Sequence, residues 1–280
     1  MVEAAGAGEP HILRYTRWLR EHRGLDFDPT THAGYDRLWR WSCDDLEAFW
    51  QSIWDYFEVR SPTPHARVLK AEVMPGARWF EGARVNYAGH VFAHRERADA
   101  AGVPAIVFRD ESLQDLGQSE VIGWLELQRR VASFAQSLRE LGVEPGDRVA
   151  AFLPNVPATA VAFLATASIG AIWSVCSADM GPLAVLDRFR QIEPKVLVAT
   201  RRYRYGGIVH DRSAVLAEML AELPSIRAVV LVGDEAPREA DLDVGPRAPT
   251  LHAYADLIAA DVAFAPTPVD FDHPLWIVYS

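Results

Sequence analysis

A chain of 280 residues with 50% hydrophobic and 24% charged side chains has material for one large globular domain or two smaller ones. Its formal net charge of −10 argues against wholesale binding of a nucleic-acid backbone, which draws its affinity from Lys and Arg. Cys43 and Cys176, the only cysteines, stand far apart without a Cys-x-x-Cys spacing, which argues against a disulfide framework or a zinc site and fits a cytoplasmic protein.

Residues 1–10 are small and acidic, with no basic stretch leading into an apolar one, so they read as a disordered tail and not as a secretory signal. Six of the nine tryptophans (Trp18, Trp39, Trp41, Trp50, Trp54, Trp79) lie in the first eighty residues, whereas regular strand–helix alternation begins only after about Pro104, which divides the chain into two architectural parts. In the first part Leu46, Phe49, Trp50, Ile53, Trp54 and Phe57 fall on one helical face, with Ser42 and Asp45 placed like an N-cap and its N3 acid. The shared apolar face favours a helix packed on a larger body over an aromatic stacking platform for bases.

From Gly123 the pattern repeats. Leu127, Val131, Phe134, Leu138 and Leu141 mark a helix stopped by Gly142, and residues 147–153 form an apolar strand. Asn155 is expected to cap the next helix, with Pro157 in its first turn. A strand over 171–176 follows, then a helix from Pro182 to about Pro194, a strand over 195–199, a helix over 211–223 and a strand over 228–232. The uncharged stretch 149–178 is broken by Pro154, Asn155, Pro157 and Gly170, so it reads as a buried β-α-β unit and not a membrane span. Strands apolar on both faces and alternating with helices imply an α/β fold, a mostly parallel sheet covered by helices on both faces, preceded by an aromatic-rich, mainly helical N-terminal region. The Pro- and acid-rich stretch 234–250 reads as a surface loop, and residues 272–280 as a buried strand ending on a small hydroxyl residue.

No Walker loop, Gly-x-Ser-x-Gly elbow or His-Glu-x-x-His motif is present, and no catalytic residue or metal ligand is assigned. His90 and His94 stand four apart without a third ligand, and two solvent-facing histidines are the expectation. Ser177 and Asp179 follow a strand in a turn-like Cys-Ser-Ala-Asp-Met-Gly, where a ligand contact is more in keeping than a nucleophile and its acid. The run Arg201-Arg202-Tyr203-Arg204-Tyr205-Gly206-Gly207 follows a strand's carboxyl end, where open α/β sheets collect ligands, so it is a candidate anion site or, alternatively, a solvated basic loop. Tyr203 and Tyr205 could stack on an adenine or anchor the loop.

Three stretches together resemble the acetoacetyl-CoA synthetase family, within the adenylate-forming acyl-CoA synthetases: Tyr35-Asp36-Arg37-Leu38-Trp39-Arg40-Trp41-Ser42, then Trp79-Phe80-Glu81-Gly82-Ala83-Arg84-Val85-Asn86-Tyr87-Ala88, and above all residues 170–179 continued by 185–197. The resemblance runs from about His11 to Ser280. It implies a family N-terminal region over 11–100 and the first part of an AMP-dependent synthetase/ligase domain over 101–280, the front of a truncated large domain. It implies ligation of acetoacetate to CoA through an acyl-adenylate, with ATP, CoA and Mg²⁺ as cofactors, a small-molecule substrate, and no nucleic-acid or membrane partner; the alternatives are another short-chain acyl-CoA synthetase, for acetate or propionate, or a non-catalytic CoA-binding remnant. By the same resemblance Arg204, Arg202, Ser177 and Asp179 lie near the CoA nucleotide, although Gly207 stands where a relative carries a second arginine. In the family an apolar strand like 272–280 runs straight into a phosphate loop, so the 280 residues alone are expected neither to form the adenylate nor to stay monomeric.

Overall fold

Apolar side chains that alternate from one side of a strand to the other decide the central architecture. In the computed structural model, which describes residues 9–233 and 248–279, the chain divides into two compact units. The expected tail over 1–8, most of the expected loop after Gly233, and Ser280 lie outside the described residues.

The first unit runs to Val85 and takes in Asp270–Asp272. It holds helices α1 (His11–Arg23), α2 (His32–Asp44) and α3 (Leu46–Tyr56), and strands β1 (Arg67–Ala71), β2 (Arg78–Glu81) and β3 (Arg84–Val85). Asp45, not Ser42, caps α3, its carboxylate accepting from the Ala48 amide at 3.0 Å. Ser42 lies inside α2, where its hydroxyl donates back to the Trp39 carbonyl at 2.7 Å, because two helices meet there with only Asp45 between them. The aromatic stripe of α3 is used within this unit. Phe49, Ile53 and Tyr56 pack with Tyr15, Leu19 and Leu38 of α1 and α2, while Trp54 sits 4.6 Å from the Phe80 ring on the antiparallel β1–β2 pair.

The second unit comprises Asn86–Val269 and the residues from His273 onward. It begins with α4 (Tyr87–Val91), α5 (Arg95–Ala100), β4 (Ile106–Phe108), α6 (Glu111–Asp115) and β5 (Glu120–Ile122). The alternating part follows as α7 (Trp124–Glu140), β6 (Arg148–Phe152), α8 (Pro157–Ser168), β7 (Ile172–Cys176), α9 (Pro182–Ile192) and β8 (Val196–Ala199). After it come β9 (Arg202–Tyr205), β10 (Ile208–Asp211), α10 (Ser213–Glu222), β11 (Ala228–Leu231), β12 (Thr250–Ala253) and α11 (Tyr254–Leu257). Five of these strands form one parallel sheet in the order β12-β11-β8-β6-β7. Val149, Ala151, Val196, Val198 and Val230 face α7 and α8, whereas Ala150, Phe152, Leu197, Ala199 and Leu231 face α9 and α10. Both faces are therefore buried, and the expected parallel α/β sheet is the one observed.

Helix α8 is buried nearly all round, which its small residues Ala158, Ala162, Ala165 and Ala167 permit by letting neighbours approach closely. Its N-cap is Val156, which makes no side-chain cap, and Asn155 stands one place too early to serve. Among the described residues no helix is long and apolar enough to cross a membrane. The segment after Asp272 is not the buried strand its sequence suggests. It makes one parallel bridge, Trp276 to Trp173, and leaves Trp276 45% and Val278 74% exposed, because it lies on the outer edge of β7 with a partner on one side only.

Candidate functional site at the carboxyl ends of the sheet

The chain leaves β6 through α8 for β7 at one edge, then returns through α9 to β8 on the other side of β6. Neighbouring β6 and β8 thus send their continuations in opposite directions, and the crevice between such strand ends is where open α/β sheets bind ligands. Three segments surround it: the residues after Phe152, the turn Ser177–Met180 after β7, and the segment that follows Ala199.

In the turn after β7 the Met180 amide donates to the Ser177 carbonyl at 3.1 Å. The Ser177 hydroxyl bonds the Asp179 carboxylate. That bond, then the residue's own backbone N–H and the charge of Arg212, hold the Asp179 carboxyl below the usual range. Ser177 is therefore a donor within the turn, its hydroxyl held by the Asp179 carboxylate.

The basic stretch after β8 is a β-hairpin and not a loop. Strands β9 and β10 pair antiparallel with Tyr205 opposite Ile208, leaving Gly206 and Gly207 as a two-residue turn with φ of +63° and +75°. Positive φ at both central positions is the primed turn that suits the twist of a hairpin, and glycine adopts it without strain. Alternation puts Arg202 and Arg204 on one face and Tyr203 and Tyr205 on the other. Tyr203 packs against the core on the α9–α10 side and stacks on His210 at 4.9 Å, so it anchors the hairpin, whereas Tyr205 is 72% exposed. Arg202 lies 3.5 Å from Asp211 across the ladder. Arg204 Nε lies 3.8 Å from Glu111 Oε2, and its terminal nitrogen 3.5 Å from Asp115 Oδ2.

Two residues with no motif around them organise this region. Arg212 closes the base of the hairpin, its amide donating to the Arg201 carbonyl at 2.7 Å. Its guanidinium donates to the Met180 carbonyl at 2.6 Å and lies over the Phe152 ring at 5.7 Å, joining the hairpin base, the turn after β7 and the end of β6. At the tip, Glu111 of α6 accepts from the Gly206 amide at 2.7 Å and the Gly207 amide at 2.8 Å, one with each carboxylate oxygen. Those two bonds, the Gly207 one first, and the charge of Arg204 hold the Glu111 carboxyl below the usual range. Ser177 and Asp179 thus follow β7 of the five-stranded sheet, whereas Arg202 and Arg204 lie on the separate β9–β10 hairpin, with Arg212 linking the turn to the hairpin base and Arg204 toward the tip.

His90 is half-buried, contrary to the expectation of two solvent-facing histidines, because its Nδ1 bonds the Asn86 carbonyl at 2.9 Å; His94 is exposed. Among the described residues no group of three or more His, Cys, Asp or Glu side chains could hold a metal.

The family model described as "AMP-binding enzyme" matches residues 94–280, and that described as "Acetyl-coenzyme A synthetase N-terminus" matches residues 35–91. An acetoacetyl-CoA synthetase structure from Streptomyces lividans superposes with a TM-score of 0.85 at 43% identity, over 97% of this chain and 39% of that one. Acetoacetyl-coenzyme A synthetase of Rhizobium meliloti is 34% identical over 96% of the chain and 39% of its own length. Malonamoyl-CoA synthetase of Penicillium aethiopicum is 34% identical over 88% of the chain and 34% of its own length. The chain spans well under half the length of these relatives. With a family model covering residues 94–280 and a fold shared over 97% of its length, the chain belongs to the AMP-binding enzyme family.

Proposed function

We propose that the chain is part of an acid–thiol ligase that joins acetoacetate to CoA, consuming ATP and releasing AMP and diphosphate. The observation that carries this is the similarity over nearly the whole chain to acetoacetyl-CoA synthetases from bacteria and vertebrates, at 33% to 43% identity. A carboxylate resists attack by a thiol because oxide is a poor leaving group. Transfer of the adenylyl group of ATP to the acid supplies a good one, and the CoA thiol then displaces AMP. Mg²⁺ would neutralise charge on the reacting phosphates.

Malonamate has the same skeleton as acetoacetate, an amide nitrogen replacing the methyl carbon. The two acids named among the relatives therefore define one class, a short carboxylate with a carbonyl group at C3. An acyl pocket shaped for that class, not for acetate, is the expectation for this protein.

Within the chain we assign the CoA nucleotide to the end of the sheet described above, with Arg204 as the principal phosphate contact and Arg202, Ser177 and Asp179 around it. The test is a pair of assays on full-length protein carrying Arg204→Ala: acetoacetate-dependent exchange of diphosphate into ATP, and the CoA dependence of acyl-CoA formation. CoA affinity is expected to fall by about 1 to 3 kcal/mol, as for loss of a charge-assisted hydrogen bond, with exchange unchanged. Unchanged CoA dependence, or equal loss in both assays, removes the assignment.

A further inference from the structure

The hairpin β9–β10 is a two-stranded sheet of its own, unpaired with the five-stranded sheet. Each strand is four residues long and largely exposed, and a free-standing hairpin of that size is marginal in water. Its base is fixed by the Arg212 amide and its middle by Tyr203. What fixes its tip comes from 95 residues earlier in the chain, the carboxylate of Glu111. Successive N–H groups that face one side of a turn can hold an anion, and here the protein sets its own carboxylate across the two, one oxygen to each.

The two acids of α6 stand differently toward Arg204. Glu111 has both oxygens committed to the Gly206 and Gly207 amides, and its contact with Arg204 Nε is the longer at 3.8 Å. Asp115 sits 3.5 Å from the guanidinium terminus and is 67% exposed. An exposed pair of that kind is weak, typically worth under about 1 kcal/mol, so an arriving phosphate can replace it without disturbing the tip.

We propose that Glu111 is a positioning residue for the thiol substrate, aiming Arg204 by locking the hairpin tip, and that Asp115 holds the guanidinium until a ligand phosphate takes its place. This rests on the assignment of Arg204 to the CoA nucleotide. Neither acid touches the reacting atoms, so their influence should appear in CoA affinity and not in adenylation. Their effects should have opposite sign, because one acid aims the arginine and the other competes for it.

The experiment measures CoA affinity of full-length protein in five forms: unmodified, Glu111→Gln, Asp115→Asn, Arg204→Ala and the Glu111→Gln/Arg204→Ala pair. Amide hydrogen exchange at Gly206 and Gly207 is read alongside. Glu111→Gln should weaken CoA roughly tenfold and speed exchange at both glycines, whereas Asp115→Asn should tighten CoA by about two- to fivefold. In the Arg204→Ala background Glu111→Gln should cost nothing further, since its effect passes through that arginine. Additive losses in the double variant, or glycine exchange unmoved by Glu111→Gln, overturn the role of Glu111. Unchanged or weaker binding by Asp115→Asn overturns that of Asp115. If Arg204→Ala leaves CoA affinity intact, the CoA assignment itself falls and this inference with it, an outcome distinct from the first two because only there does Arg204 matter to binding.

Discussion

Asn86 and Thr267 are separated by 181 positions, yet the Asn86 side-chain amide donates to the Thr267 carbonyl at 2.8 Å. The same nitrogen reaches the carbonyls of Ala167 at 3.1 Å and Ser168 at 3.0 Å at the end of α8, which also accept from the Gly170 and Thr267 amides. Its oxygen accepts from the Gly89 amide at 3.0 Å and so caps α4. One buried side chain thereby completes the start of one helix, the end of another and a passing loop.

Replacing Asn86 by Ala is expected to destabilise the fold by roughly 2 to 4 kcal/mol, since buried carbonyls lose a shared donor and α4 its cap. Asn86→Asp should cost more at neutral pH, because it turns a carboxylate toward three carbonyl oxygens. Urea unfolding of both variants checks this; a loss below about 1 kcal/mol for either would show that the network is not held through Asn86.

Glu126 supplies a dependence on acid. Its carboxylate accepts from Arg129 Nε at 2.7 Å and Nη2 at 2.8 Å, and from Arg130 Nε at 2.7 Å. The Arg129 bond first, opposed by partial burial and reinforced by Arg130, holds its pKa at about 2 against the usual 4.5. Since the folded value is the lower one, the stabilisation is complete above about pH 4.5 and drains away as pH falls toward 2. Glu126→Gln should flatten this part of the stability–pH curve while leaving its shape above pH 5 unchanged, as followed by denaturant midpoints at stepped pH.

Gly170 tests space and backbone together. Its φ is +76°, and a Cβ there would come within 2.8 Å of Val269 Cγ1 and 3.3 Å of Pro145 Cβ. Its carbonyl also accepts from the Gly146 amide at 2.9 Å and His273 Nε2 at 2.7 Å, so the backbone is not free to retreat. Gly170→Ala should cost roughly 2 to 4 kcal/mol in thermal or urea unfolding, more than the strain of a left-handed residue alone. A melting temperature equal to the parent's would mean that Val269 moves aside at no cost.

The sheet was legible because Val149, Val196, Leu197 and Val229 sit in runs apolar on both faces, a pattern that solvent-facing segments do not produce. The hairpin was not, since Arg202-Tyr203-Arg204-Tyr205 alternates charge with aromatics of which only Tyr203 is partly buried, although Gly206-Gly207 was a turn signal in plain view. The observed caps Asp45 and Val156 differ from the expected Ser42 and Asn155, because side-chain chemistry marks the neighbourhood of a helix start without saying which backbone stays extended. Arg204 announced itself by charge. Glu111 and Arg212 could not, for their partners are backbone groups distant in sequence or formed only by folding, and a glutamate after an aspartate, or an arginine before a serine, carries no mark of them.

The bond between the Arg212 amide and the Arg201 carbonyl brings the two ends of the hairpin together before the chain enters α10. The crossover from β8 to β11 therefore passes the hairpin as a road passes a cul-de-sac: its residues can be exchanged or its length altered without changing the path the crossover follows. Apart from Tyr203, which packs on the core, changes in such a side branch leave the apolar strands beneath it to pack as before.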